Sequence, residues 1–332
     1  MIDDLGGEAG CRRLSAAFYA HVAGDPELRP LFPGKSLRCA TEEFSGFLVQ
    51  FLGGDEQMTP YRTWLSLRES HARFRITESQ RTAWLRQMEA TLRSSGLDEE
   101  TQDALLQFFV TSSAYILGRE GERVKEPELA ERWNLAQALD ELVADILAGR
   151  DAEVLQSHRE FASRPSLFVG ILSRMLQTRR SGLVKAVVEA IEQAPTLGVR
   201  QHAGGTLLHY AAGAGCPEVV VLLLRLGVDA NVLDSGNHPP LYRLANECAA
   251  DTGPEIVRTL VDAGAEVNHC GGATRATPLH MAARRGRVGI AQVLLEFGAS
   301  IEARDAKGCT PLDRAINCRN PEVVRLLLQR MA

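Results

Sequence analysis

Aromatic residues are scarce, at 6% of the chain, with only three Trp and five Tyr beside 11 Phe. No sign of charge dominates: 37 Lys and Arg stand against 42 Asp and Glu, a net charge of −5, which leaves no basic footprint for nucleic acid or anionic lipid. None of the seven cysteines, at 11, 39, 216, 248, 270, 309 and 318, forms a CxxC pair. That odd count and irregular spacing fit reduced thiols better than a disulfide framework. Long hydrophobic runs are missing too, since the longest, 219–224, is far short of a membrane span. The start, Met1-Ile2-Asp3-Asp4, lacks the basic region of a signal peptide. Together these absences predict a cytoplasmic protein without a nucleic-acid or membrane partner.

What remains is ample for packing. With 45% hydrophobic and 24% charged residues the chain is globular throughout, and at 332 residues it exceeds one ordinary core. Residues 1–118 read as helices with almost no strand signal. A helix over 11–23 stops at Gly24-Asp25-Pro26, because proline cannot continue it, and a short turn follows at 27–32. Ala40, Phe44, Phe47, Leu48 and Phe51 form one apolar stripe, closed by Gly53-Gly54. After an irregular stretch at 55–65, a short helix carries His71, and longer helices cover 78–92 and 100–117. Residues 119–165 read as a helical linker, polar at first, then striped by Leu129, Trp133, Ala136, Leu139, Val143 and Ile146. Such a stripe needs a surface to cover, so a docked spacer is expected.

The first segment resembles the truncated haemoglobins, the group-two branch in particular. The matching stretches are Leu5-Gly6-Gly7-Glu8-Ala9, Phe18-Tyr19-Ala20-His21-Val22-Ala23 and Phe47-Leu48-Val49-Gln50-Phe51-Leu52-Gly53-Gly54. His71-Ala72-Arg73-Phe74-Arg75-Ile76 and Ala83-Trp84-Leu85-Arg86-Gln87-Met88 continue the match in order and spacing. The resemblance implies a two-over-two globin-like helical domain over 1–118 that binds haem b. It makes His71 the proximal iron ligand and places Tyr19, Phe32, Ala40, Phe44 and Trp84 on the distal side. Tyr19 and Trp84 offer polar hydrogens to a bound diatomic ligand, whereas Ala40 offers none, which predicts a five-coordinate ferrous iron. Phe74 and Ile76 would flank the proximal face, Met88 the interior, and Arg68 and Arg75 the haem propionates. Each residue also has a plainer reading: a surface or core-edge histidine, core packing for Tyr19 and Trp84, surface charge for the arginines. The family often carries a basic residue where Ser70 stands, and His21 reads as solvated.

Residues 166–332 repeat. Thr206-Leu207-Leu208-His209, Pro239-Pro240-Leu241, Thr277-Pro278-Leu279-His280 and Thr310-Pro311-Leu312-Asp313 are separated by 33, 38 and 33 residues, a pattern similar to ankyrin repeats. Repeats start near 205, 236, 276 and 309, behind a degenerate cap at 166–204, and the last helix serves as the other cap. His209 and His280 belong to the fold signature, and the cysteines read as structural. Asp234, Asn237, His238, Thr274, Arg275, Arg304, Asp305 and Lys307 occupy turn tips, where a protein partner or plain solvent is expected.

The resulting expectation is an all-α protein. It binds dioxygen, and other diatomic ligands with it, at haem, and carries ankyrin repeats for protein–protein interaction. A gas or redox sensor signalling through the repeats is the alternative. Nitric oxide dioxygenase or peroxidase turnover is another, but no reductase or flavin motif is present, so electrons would come from outside.

Overall fold

In the computed structural model, residues 2–32, 36–52, 67–72, 74–119 and 124–331 are described. The expected glycine stop at 53–54 and the irregular stretch at 55–65 lie outside them. The chain divides into two compact units, Met1–Leu147 and Ala148–Ala332. No helix among the described residues is long and apolar enough to cross a membrane.

Among the described residues the first unit's regular elements are helices: α1 (Gly7–Gly24), α2 (Arg38–Phe51), α3 (Leu67–His71), α4 (Glu78–Arg93), α5 (Glu99–Ile116) and α6 (Pro127–Ala148). At the start of α1 the chain turns tightly, with Gly6 at φ +80°, and a Cβ on Gly10 would lie 1.6 Å from the Leu5 carbonyl oxygen. Only glycine fits there. Helix α1 buries Cys11, Leu14, Phe18 and Val22, one face at helical spacing, against α2 and α4. Thr77 and Gln80 cap α4 reciprocally, and Asp98 caps α5 by accepting from the Thr101 N–H at 2.8 Å. The pair α1–α2 and the pair α4–α5 give the two-over-two arrangement, filled by Leu48, Met88, Leu92, Leu105, Phe108 and Phe109. Helix α6 closes this core: Trp133 lies edge-on to Phe108 and Tyr115, with ring centroids 5.8 and 5.1 Å apart. The stretch 119–165 is therefore divided, with α6 in the first unit and α7 (Asp151–Ser157) in the second.

The second unit stacks helix pairs. These are α8 (Pro165–Thr178) with α9 (Ser181–Gln193), α10 (Leu207–Ala214) with α11 (Pro217–Arg225), and α12 (Pro240–Glu247) with α13 (Gly253–Asp262). Then come α14 (Pro278–Arg285) with α15 (Val288–Glu296), and α16 (Pro311–Asn317) with α17 (Pro321–Met331). First helices pack on first helices and second on second, and a two-residue hairpin, β1 (Gln201–His202) with β2 (Gly205–Thr206), precedes α10. The pair α8–α9 thus continues the stack without the Thr-Pro-Leu-His signature. Proline in the first turn of α11, α12, α14 and α16 sets φ where no N–H is needed.

Two kinds of side chain tie neighbouring units. The imidazole of His209 accepts from the Thr206 N–H at Nδ1, which leaves Nε2 to donate to the His238 carbonyl, 3.1 Å away. His280 does the same with Thr277 and Cys309. Asn231 and Asn268 each clamp the following unit's backbone, at Gly264 and Glu266, and at Gly298 and Ser300. Burial pushes the His209 pKa down to about 4 and lowers that of His280.

Candidate functional site

Four half-buried side chains converge on one wall of the first unit. The Asp25–Pro26 stop of α1 and a 3-10 turn at Arg29–Leu31 bring Phe32 back against Tyr19, edge-on at 5.5 Å. One turn of α2 beyond Ala40 stands Phe44, 6.3 Å from both Tyr19 and Trp84 of α4. Behind them the fully buried Phe18 lies 5.1 Å from Tyr19 and from Trp84, and Phe109 lies 5.4 Å from Trp84. Edge-to-face contacts of this kind fix ring orientation as well as burying area. Burial, with the Glu43 carboxylate nearby, raises the Tyr19 pKa, so its phenol stays a proton donor. Met88, one turn after Trp84, is fully buried in the core itself.

The second group sits on α3 and the residues after it. His71 Nδ1 lies 2.9 Å from the Leu67 carbonyl oxygen and 2.9 Å from the Ser70 hydroxyl, which itself donates to Leu67 at 2.7 Å. Phe74 stands 6.4 Å from the His71 ring. Ile76 is half-buried and Arg75 exposed. Arg68 lays its guanidinium over the Tyr115 ring, 3.7 Å from the centroid, which ties α3 to α5. His21 is exposed, yet its Nδ1 is 3.0 Å from the hydroxyl of buried Thr91.

Two buried carboxylates escaped the sequence reading. Asp25 accepts from Gln87 at 2.7 Å, the Glu27 and Leu28 N–H groups and Arg86, which together lower its pKa and lock the corner before Phe32. The adjacent proline marked a helix end, but not this role. Asp140 of α6 is 4% exposed and accepts from the Arg68 N–H at 3.0 Å. No motif marks it.

Residues 1–116 match the bacterial-like globin family, residues 203–235 the ankyrin repeat and residues 245–332 an array of three ankyrin repeats. The chain is 34% identical to the group 2 truncated hemoglobin YjbI of Bacillus subtilis (strain 168) over 99 residues, 30% of this chain and 74% of that protein. The chain belongs to the bacterial-like globins. Its repeats are similar to those of the mouse ankyrin repeat and SOCS box protein 16, 36% identical over 118 residues, which cover 33% of this chain and 25% of that protein. The chain is also similar to the mouse B-cell lymphoma 3 protein homolog, 32% identical over 141 residues, covering 41% of this chain and 30% of that protein. The chain thus spans less than a third of the length of either of these two relatives.

A globin implies haem-based ligand binding, and ankyrin repeats imply protein partners. The donor set of this chain fits haem. Imidazoles that bind metal usually give their other ring nitrogen to a carbonyl or carboxylate, as His71 gives Nδ1 to Leu67. The half-buried rings of Tyr19, Phe32, Phe44 and Trp84 have the apolar faces that a porphyrin needs.

In the repeats, Asp234 and Asp305 are turn-builders rather than free tips. Asp234 Oδ1 accepts from the N–H groups of Gly236 and His238, and buried Asp305 accepts from Lys307 and Cys309 and pairs with Arg314. Cys11, Cys216 and Cys248 are buried, as structural thiols should be, whereas Cys39, Cys270 and Cys318 are exposed.

Proposed function

We propose that this globin binds dioxygen, and other diatomic ligands with it, at a haem b held by His71. The observation that carries the reading is the His71 imidazole, oriented through Nδ1 by the Leu67 carbonyl within a domain of globin sequence. Held by His71, haem would supply a ferrous iron able to take a small diatomic ligand.

The chain's own residues supply the rest. Phe32, Phe44, Phe74 and Ile76 pack the macrocycle and exclude water, with Met88 filling the interior behind them. Tyr19 and Trp84 donate hydrogen bonds to a ligand that carries partial negative charge; one such bond contributes about 1–3 kcal/mol. The Ala40 methyl neither donates nor coordinates, so the resting ferrous centre is five-coordinate. Arg75, exposed beside the site, is the better placed of the two arginines for a propionate, because Arg68 already stacks on Tyr115. The domain extends from residue 1 to about 118 in sequence character, with a helical linker to 165 and ankyrin repeats from 166 to 332. The seven thiols, all free, suit a reducing cytoplasm.

Purification with ample haem tests the reading. A Soret band that His71→Ala abolishes is the expected result. Its absence in the unaltered protein, or its survival in that variant, overturns the assignment. A bis-histidyl ferrous spectrum removes the five-coordinate part alone.

A gas or redox sensor is the second reading. Linkage then requires that a partner bound to the repeats change haem–ligand affinity by the same factor as the ligand changes partner binding. Redox turnover on nitric oxide or peroxide is a third, with electrons from an outside donor.

A further inference from the structure

Two carboxylates are buried in the first unit among the described residues, and they serve different ends. Asp25 caps the corner in which it stands. Asp140 reaches 72 residues back along the sequence, to the amide of Arg68. That N–H belongs to the peptide group joining Leu67 to Arg68. The carbonyl of the same peptide is the one that faces His71 Nδ1 at 2.9 Å. A buried carboxylate and the imidazole therefore occupy the two ends of a single amide. The Arg68 guanidinium over Tyr115, and Tyr115 edge-on to Trp133 of α6, hold this peptide between α5 and α6. Helix α6 begins at Pro127, beyond residue 116 where the globin match ends.

We propose that Asp140 is a positioning residue for the proximal imidazole, acting on His71 through the Leu67–Arg68 peptide. The inference rests on His71 being the iron ligand. A carboxylate accepting from an amide N–H drives electron density toward that amide's oxygen. Hydrogen bonds joined in a chain strengthen one another, by about 10–30% per bond. The Leu67 carbonyl then draws harder on the Nδ1 proton, which fixes the tautomer and makes Nε2 a stronger donor to a metal. Ser70 shares the same carbonyl at 2.7 Å, so the oxygen's extra charge is divided between a hydroxyl and the imidazole. A more basic imidazole stiffens the iron–nitrogen bond and favours ferric over ferrous iron.

Full-length protein loaded with haem gives the test. Asp140→Asn keeps the size of the side chain and an oxygen for the Arg68 N–H, while removing the charge. Its Soret band should persist at unaltered haem content. Its iron–histidine stretching band, read by resonance Raman on the unliganded ferrous form, should move to lower frequency, and its midpoint potential should rise. Asp140→Glu restores the charge and should move both back. Asp140→Ser takes the place of the asparagine variant should that one not fold. Glu141→Gln, on the exposed neighbour, should leave both readings where they were. Uncharged variants with the unaltered band and potential overturn the inference, as does a Glu141→Gln shift of equal size. If His71→Ala retains the Soret band, the haem reading has failed instead; if only the Asp140 variants are silent, that reading stands and this one falls.

Discussion

Single side chains decide how this globin would hold a ligand. Tyr19, the first of the two proposed donors, is ringed by Phe18, Phe32 and Phe44 and kept protonated by burial. Tyr19→Phe should leave the Soret band in place and speed dioxygen release roughly ten- to a hundred-fold, measured by stopped flow. A rate within a factor of two of the unaltered protein would pass the donor role to Trp84. Gly10 makes a different demand. Its missing Cβ clears the Leu5 carbonyl, so Gly10→Ala should cost about 1–3 kcal/mol in urea unfolding, with no direct effect on the ligand. His71, Tyr19 and Trp84 stood out in the sequence because they sit in stretches whose type and spacing resemble a family pattern. Asp140 did not. A carboxylate between Leu139 and Glu141 looks like one more polar position on an amphipathic helix, and its meaning comes only from a peptide 72 residues earlier.

At the scale of elements, periodicity marked α1, α2, α4 and α5 to within a few residues, because each buries one face, and the proline after Asp25 marked the end of α1. Helix α6 was recognised as a helix in need of a surface, but the stripe itself did not say which surface. Trp133 answers by covering Phe108 and Tyr115. Trp133→Ala, emptying a site that is 5% exposed, should destabilise the globin unit by about 3–5 kcal/mol, followed by chemical unfolding of the haem-free protein. In the repeats, the histidines give a pH dependence whose sign is fixed. Folding lowers the pKa of His209 to about 4 and that of His280 below the ordinary 6.5, so the unfolded chain binds protons that the folded one refuses. Their stabilisation is complete above about pH 6.5 and drains away as the pH falls toward 4. The urea midpoint of the repeat unit should decline across that window, and His209→Gln should flatten the decline.

The whole molecule joins a ligand-binding core to a stack whose units are held one to the next. If the repeats serve only to localise the globin, a chain ending after α6 at residue 148 keeps the full-length dioxygen off-rate. A change beyond threefold favours the sensor instead. Ending the chain at 118 is a harsher cut, since it removes Trp133 and Asp140 together, and such a protein should retain haem poorly in a haem-transfer assay. The histidine staples carry a last consequence. They secure the α10–α11 pair to the α12–α13 pair and the α14–α15 pair to the α16–α17 pair, whereas the α12–α13 pair has Tyr242 where the imidazole would be. Mild acid should therefore loosen the array at two seams and spare the middle one, where Arg285 reaches Asn246 and Arg258 pairs with Glu296. Amide exchange at pH 5 would then show an intact central block, with its outer neighbours peeling off separately.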